Sequence, residues 1–122
     1  MSDATVFSQS RQIAFSTPAA MVDLERLLKE FLLGVGEALS YNGIILGHIK
    51  VMAKIPAGGE LLFLSLTRLD QVDSKASPAW NRAEDAGVDS LELTINVLVF
   101  GYSRKTVETV VNTALQRALI QG

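Results

Sequence analysis

Residues 44–68 read IILGHIKVMAKIPAGGELLFLSLTR, and this stretch decides the fold. From Ile44 to Ile55 the residues alternate. Ile45, Gly47, Ile49, Val51, Ala53 and Ile55 make one set; Ile44, Leu46, His48, Lys50, Met52 and Lys54 make the other. A strand turns successive side chains to opposite faces, so the first set reads as the core side of a half-buried strand. Pro56-Ala57-Gly58-Gly59 is a turn cluster. Alternation resumes from Glu60 to Arg68, with Leu62, Leu64 and Leu66 on one face and Leu61, Phe63, Ser65 and Thr67 on the other. A loop over 56–59 pairs Ile55 with Glu60, and hence Ala53 with Leu62, Val51 with Leu64 and Ile49 with Leu66. The same register sets Lys50 opposite Ser65 and His48 opposite Thr67. A slip of one residue would mix the two faces, so the pattern itself selects this hairpin.

Working outward, Leu91 to Phe100 alternates again. Leu91, Leu93, Ile95, Val97 and Val99 face one way; Glu92, Thr94, Asn96, Leu98 and Phe100 face the other. Two helices flank these strands. Thr17-Pro18 is read as the start of the first, because a Thr hydroxyl can accept an orphan N–H and Pro suits the first helical position. Leu24, Leu27, Leu28, Phe31, Leu32, Val35 and Leu39 then recur at helical spacing, and Asn42-Gly43 is the expected stop near residue 41. Gly34 and Gly36 inside it imply close packing on the sheet. Ser103 is a good N-cap for the second helix, whose stripe is Val107, Val110, Val111, Ala114, Leu115, Ala118 and Leu119. The expected fold is therefore α+β: a three-stranded antiparallel sheet with two helices packed on one face, in the order α-β-β-β-α. Residues 1–17, rich in Ser, Thr and Gln, are expected to be a flexible tail, with a short edge strand at Gln12–Phe15 as the alternative. Residues 18–122 form one domain.

Composition bounds the function. The 122 residues are 48% hydrophobic and 20% charged, with a net charge of −2, enough apolar matter for a core and too little basic excess for a dedicated nucleic-acid binder. There is no cysteine, which removes disulfides, thiolate metal sites and cysteine nucleophiles. The N-terminus has neither a basic segment nor a long apolar one, and no run suits a membrane span, so a cytoplasmic location without membrane partners is expected. No metal and no cofactor are expected: Asp70, Asp73, Glu84 and Asp85 lack calcium-loop spacing, and Gly34-Val35-Gly36 falls inside a helix rather than in a phosphate loop.

With helices on one side, the opposite face carries Lys50, Lys54, Phe63, Thr67, Asn96 and Phe100 beside His48, the single histidine. This mixture is too apolar for a solvated sheet and marks an interaction surface. Homo-oligomerisation, a dimer first, is the expected use, with a protein partner or a small ligand as further candidates. Phe63, Phe100, Lys50 and Lys54 could stack and neutralise a nucleic acid, but Glu92 shares the face and the whole chain is acidic, and no nucleic acid is expected. Residues 69–89 break the alternation and hold Trp80, so they read as a long loop, either a lid or a structural anchor, with a short helix conceivable within Pro78–Ala86. The function read from these features is a small, non-enzymatic oligomeric binding module using the open face and the 69–89 loop. The alternative is a small enzyme or ligand-binding protein whose inter-subunit pocket gathers His48, Lys50, Thr67 and Asn96, with His48 as the catalytic candidate.

The segment Leu93 to Leu119, with Ile95-Asn96-Val97-Leu98-Val99-Phe100-Gly101-Tyr102 followed by Val107, Val110, Val111 and Leu115, is similar to the closing strand and helix of the alkaline-shock protein family. It covers under a quarter of the chain and transfers no residue roles.

Overall fold

The computed structural model describes residues 3–82 and 87–120. In chain order the elements are β1 (Ala4–Ala20), α1 (Met21–Leu39), β2 (Ser40–Tyr41), β3 (Ile44–Lys54), β4 (Leu61–Arg68), β5 (Gln71–Ala76), α2 (Pro78–Arg82), β6 (Gly87–Phe100) and α3 (Arg104–Ala118). The fold is α+β, but the three-stranded sheet is corrected to a six-stranded antiparallel one, ordered β1-β6-β3-β4-β5 with β2 beside β3. Among the described residues there are three helices rather than two.

Of the three strands absent from the sequence reading, β1, β2 and β5, the longest is β1. Residues expected as a tail pair with β6 from Ala4↔Phe100 to Ala14↔Ser90 and, beyond an irregularity, again at Ala19↔Val88. Phe7 and Ile13 are buried while Val6, Ser8, Ser10 and Gln12 face outward. An edge strand is hydrogen-bonded on one side only and can run on with few apolar residues; it also tolerates Pro18. Because β1 continues to Ala20, Thr17-Pro18 does not open the helix. α1 starts at Met21, and Ala20 precedes it without a side-chain cap.

The expected stop signal has a different job. Asn42 and Gly43 both have positive φ, 51° and 79°, which is the backbone a two-residue hairpin turn between β2 and β3 requires. Ser103 caps α3 as expected, its Oγ accepting from the Thr106 N–H at 3.1 Å.

The central hairpin keeps the deduced register: Ile49↔Leu66, Val51↔Leu64 and Ala53↔Leu62 on the core side, Lys50↔Ser65 on the other. It fails at one rung. The β3–β4 ladder is interrupted between Ile44 and Ile49, so His48 has no partner in Thr67. Gly47 lies at this break with φ 134°, and the Leu98 carbonyl of β6 occupies the place where a Cβ would stand.

The segment expected as a loop is largely built. β5 extends the sheet beyond β4, and α2 holds Trp80, which is only 2% exposed. Its Nε1 donates to Glu25 Oε1 of α1 at 2.6 Å. Of the helix entertained within Pro78–Ala86, only Pro78–Arg82 is described; residues 83–86, with Glu84 and Asp85, lie outside the described residues.

α1 and α3 pack against each other and on one face of the sheet. Beneath them lie Ile45, Ile49, Val51 and Ala53 of β3, Leu62, Leu64 and Leu66 of β4, and Leu91 to Val99 at alternate positions of β6. Among the described residues no helix covers the opposite face.

Candidate binding face

Alternation and register together lay the uncovered face out as a grid. One row runs Ser8–Asn96–Lys50–Ser65–Asp73 across β1, β6, β3, β4 and β5. The next runs Ser10–Thr94–Met52–Phe63–Lys75. Neighbours along a row stand about 5 Å apart at Cβ, and rows are about 7 Å apart, so side chains in adjacent rows reach one another. On one side of these rows lie Gln12, Glu92, Lys54 and Leu61, with opposite charges facing across the strands at Lys54↔Glu92. On the other side lie Val6, Leu98 and His48, then Ala4 and Phe100.

The face is thus zoned. Its Phe100 end is apolar: Val6 is 57%, Leu46 50% and Phe100 43% exposed. Its middle is polar and charged. Of the large exposed hydrophobic residues, Val6, Phe63 and Phe100 are placed on this face by register, and Ile44 and Leu46 follow from the alternation of β3.

A concavity of about 490 Å³ opens over the two central rows, lined by Lys50, Met52, Phe63, Lys75, Thr94 and Asn96 among others. That is within the size range of small-molecule sites. The Ser8 hydroxyl donates to Asn96 Oδ1 at 2.6 Å. The amide oxygen is therefore used at β1, and the amide N–H donors remain for the concavity. Asp73 Oδ1 accepts from Gln71 Nε2 at 3.1 Å. Among the described residues, neither Lys50 nor Lys75 has a carboxylate within ion-pair distance.

The residues singled out from sequence divide three ways. Lys50, Phe63 and Asn96 come together in the concavity. His48 shares the face one row away but does not line the concavity, and its Nδ1 is shielded from solvent without a hydrogen-bond partner among the described residues. Among the described residues no hydrogen bond orients the imidazole as a general base requires. Thr67 lines a different depression of about 700 Å³ between the β2–β3 and β4–β5 turns, where Arg68 and Asp70 neutralise each other. Trp80 belongs to the core behind the sheet. Lys75 and Thr94 were missed as site residues. Thr94 was legible from the β6 alternation, whereas Lys75 needed β5 to be recognised as a strand.

Arg68 and Asp70 form a two-pronged pair, Nε–Oδ1 at 2.6 Å and Nη2–Oδ2 at 2.8 Å. The hydrogen bond from Arg68 holds the Asp70 carboxyl below its ordinary range, and the same bond raises the guanidinium. Among the described residues, no cluster of three or more His, Asp or Glu is placed to hold a metal ion. No helix among them is long and apolar enough to cross a membrane. Compared with known proteins, the chain matches no family model, no curated protein and no solved structure. The likeness to the alkaline-shock proteins accordingly gains no support.

Proposed function

We propose that the chain is a non-enzymatic interaction module of the cytoplasm that works through the uncovered face of its sheet, and that its first partner is a second copy of itself. One observation carries this reading: the exposed large hydrophobic residues concentrate on the face opposite the helices. The strip formed by Ala4, Val6, Leu46, Leu98 and Phe100 contains no charged residue, so two copies related by a two-fold axis meet there without like-charge opposition. Of the 69–89 segment, β5 supplies Asp73 and Lys75 to the face, while Trp80 serves the core. The alternative, an enzyme built around His48, finds no hydrogen-bond partner among the described residues to orient the ring.

Size-exclusion chromatography with light scattering tests the proposal. The expected mass is twice the 13.2 kDa of the chain, falling to 13.2 kDa for Val6→Lys and Phe100→Lys with unchanged circular dichroism. A wild-type mass of 13.2 kDa at high concentration overturns it.

A further inference from the structure

We infer that the concavity over the two central rows is a binding site for a small flat organic anion of the aromatic-carboxylate class. This rests on the uncovered face being the working surface, but not on the two-fold association.

The grid supplies the argument. Phe63 stands at the centre, with Met52 opposite it on β3 and Lys75 opposite it on β5. Lys50 occupies the adjacent row, diagonal to Phe63. Phe63 is 45% exposed, so a large part of it is accessible to a ligand. Both ammonium groups are carried on four-carbon stems long enough to reach over that ring from either side. Among the described residues neither is in an ion pair, and with the single carboxylate of the lining, Asp73, whose Oδ1 accepts from Gln71, they leave the concavity with an excess of one positive charge. Asn96, turned by Ser8, adds amide donors at the β6 wall, and Ser65 and Thr94 add hydroxyls. An apolar platform flanked by two ammonium groups and an amide matches a flat body bearing one anionic group. A neutral aromatic would leave the lysines unused, and an inorganic anion would leave the platform unused.

The test is a titration of isotope-labelled protein with 2-naphthoate and with its uncharged counterpart 2-naphthamide, followed by amide chemical shifts. Saturable shifts centred on Lys50, Phe63, Ser65, Lys75 and Asn96 are expected with 2-naphthoate. Affinity should be about threefold to fivefold weaker in Lys50→Met and in Lys75→Met, each measured on a variant with wild-type circular dichroism. Raising the salt should weaken 2-naphthoate binding and leave 2-naphthamide unaffected. Lys29→Met, on α1, should bind as wild type. No saturable shift at millimolar ligand, equal binding of the two probes, or shifts centred on Val6 and Phe100 would each overturn the inference. A monomer that binds 2-naphthoate in the expected way leaves this site standing and sinks the association alone. A dimer that does not bind does the reverse.

Discussion

Gly34 and Gly36 stand two residues apart on α1 and answer to different neighbours. A Cβ on Gly34 would lie 3.8 Å from the Ala114 Cβ of α3, ordinary contact distance. A Cβ on Gly36 would run into the Leu66 side chain of β4. Gly34→Ala is therefore expected to stabilise by about 0.5–1 kcal/mol, through helix propensity alone. Gly36→Ala is expected to cost about 1–3 kcal/mol, since the strain of overpacking exceeds that gain. Urea unfolding of the two variants checks the opposite signs. Trp80 gives a second residue-level outcome. Its buried indole N–H depends on Glu25, so Glu25→Ala should cost about 1–3 kcal/mol by leaving that donor unpaired. Trp80→Ala should cost about 3–5 kcal/mol. The fluorescence of Trp80, the one tryptophan of the chain, reports the unfolding of the wild-type protein and of Glu25→Ala directly. The thermal midpoint of Trp80→Ala is read by circular dichroism.

Legibility at the scale of elements followed burial. β3, β4 and β6 lie inside the sheet with one face under helices, so every second residue is apolar and their sequences announce them. β1 and β5 are edges. In β1 the core-facing positions include Gln9 and Arg11 between Phe7 and Ile13, which breaks the apolar period. In β5, written QVDSKA, only Val72 and Ala76 are partly buried. Both strands are specified by the ladder of a neighbour rather than by their own side chains, and periodicity alone cannot find such strands. The same omission hid Lys75 from the candidate site, while Lys50, Phe63 and Asn96 were legible because their strands were. The β4–β5 turn also carries a pH dependence. Asp70 is held low in the folded chain, so its pair with Arg68 favours folding above the ordinary carboxylate pKa of 3.8 and is lost as the pH falls through the lower folded value. A carboxyl titration followed by NMR should place Asp70 below 3.8. High salt should move it back toward that value, because the pair is exposed and screened.

On the whole molecule, the decisive asymmetry is that α1 and α3 take one face of the sheet and leave the other. The association and ligand outcomes both belong to this scale, and they separate by zone. Lysine at Val6 or Phe100 should dissolve the dimer and leave 2-naphthoate binding in place, because neither residue lines the concavity. Finally, among the described residues β1 has a single neighbour in the sheet, β6, whose paired residues lie 67 to 96 positions further along the chain. A ribosome releases the N-terminus first. Residues Ala4–Ala14 must therefore wait, their backbone groups bonded to water, until β6 has been made. Joining such remote segments is entropically slow, so the last rungs to close during biogenesis are expected to be those between Ala4–Ala14 and Ser90–Phe100.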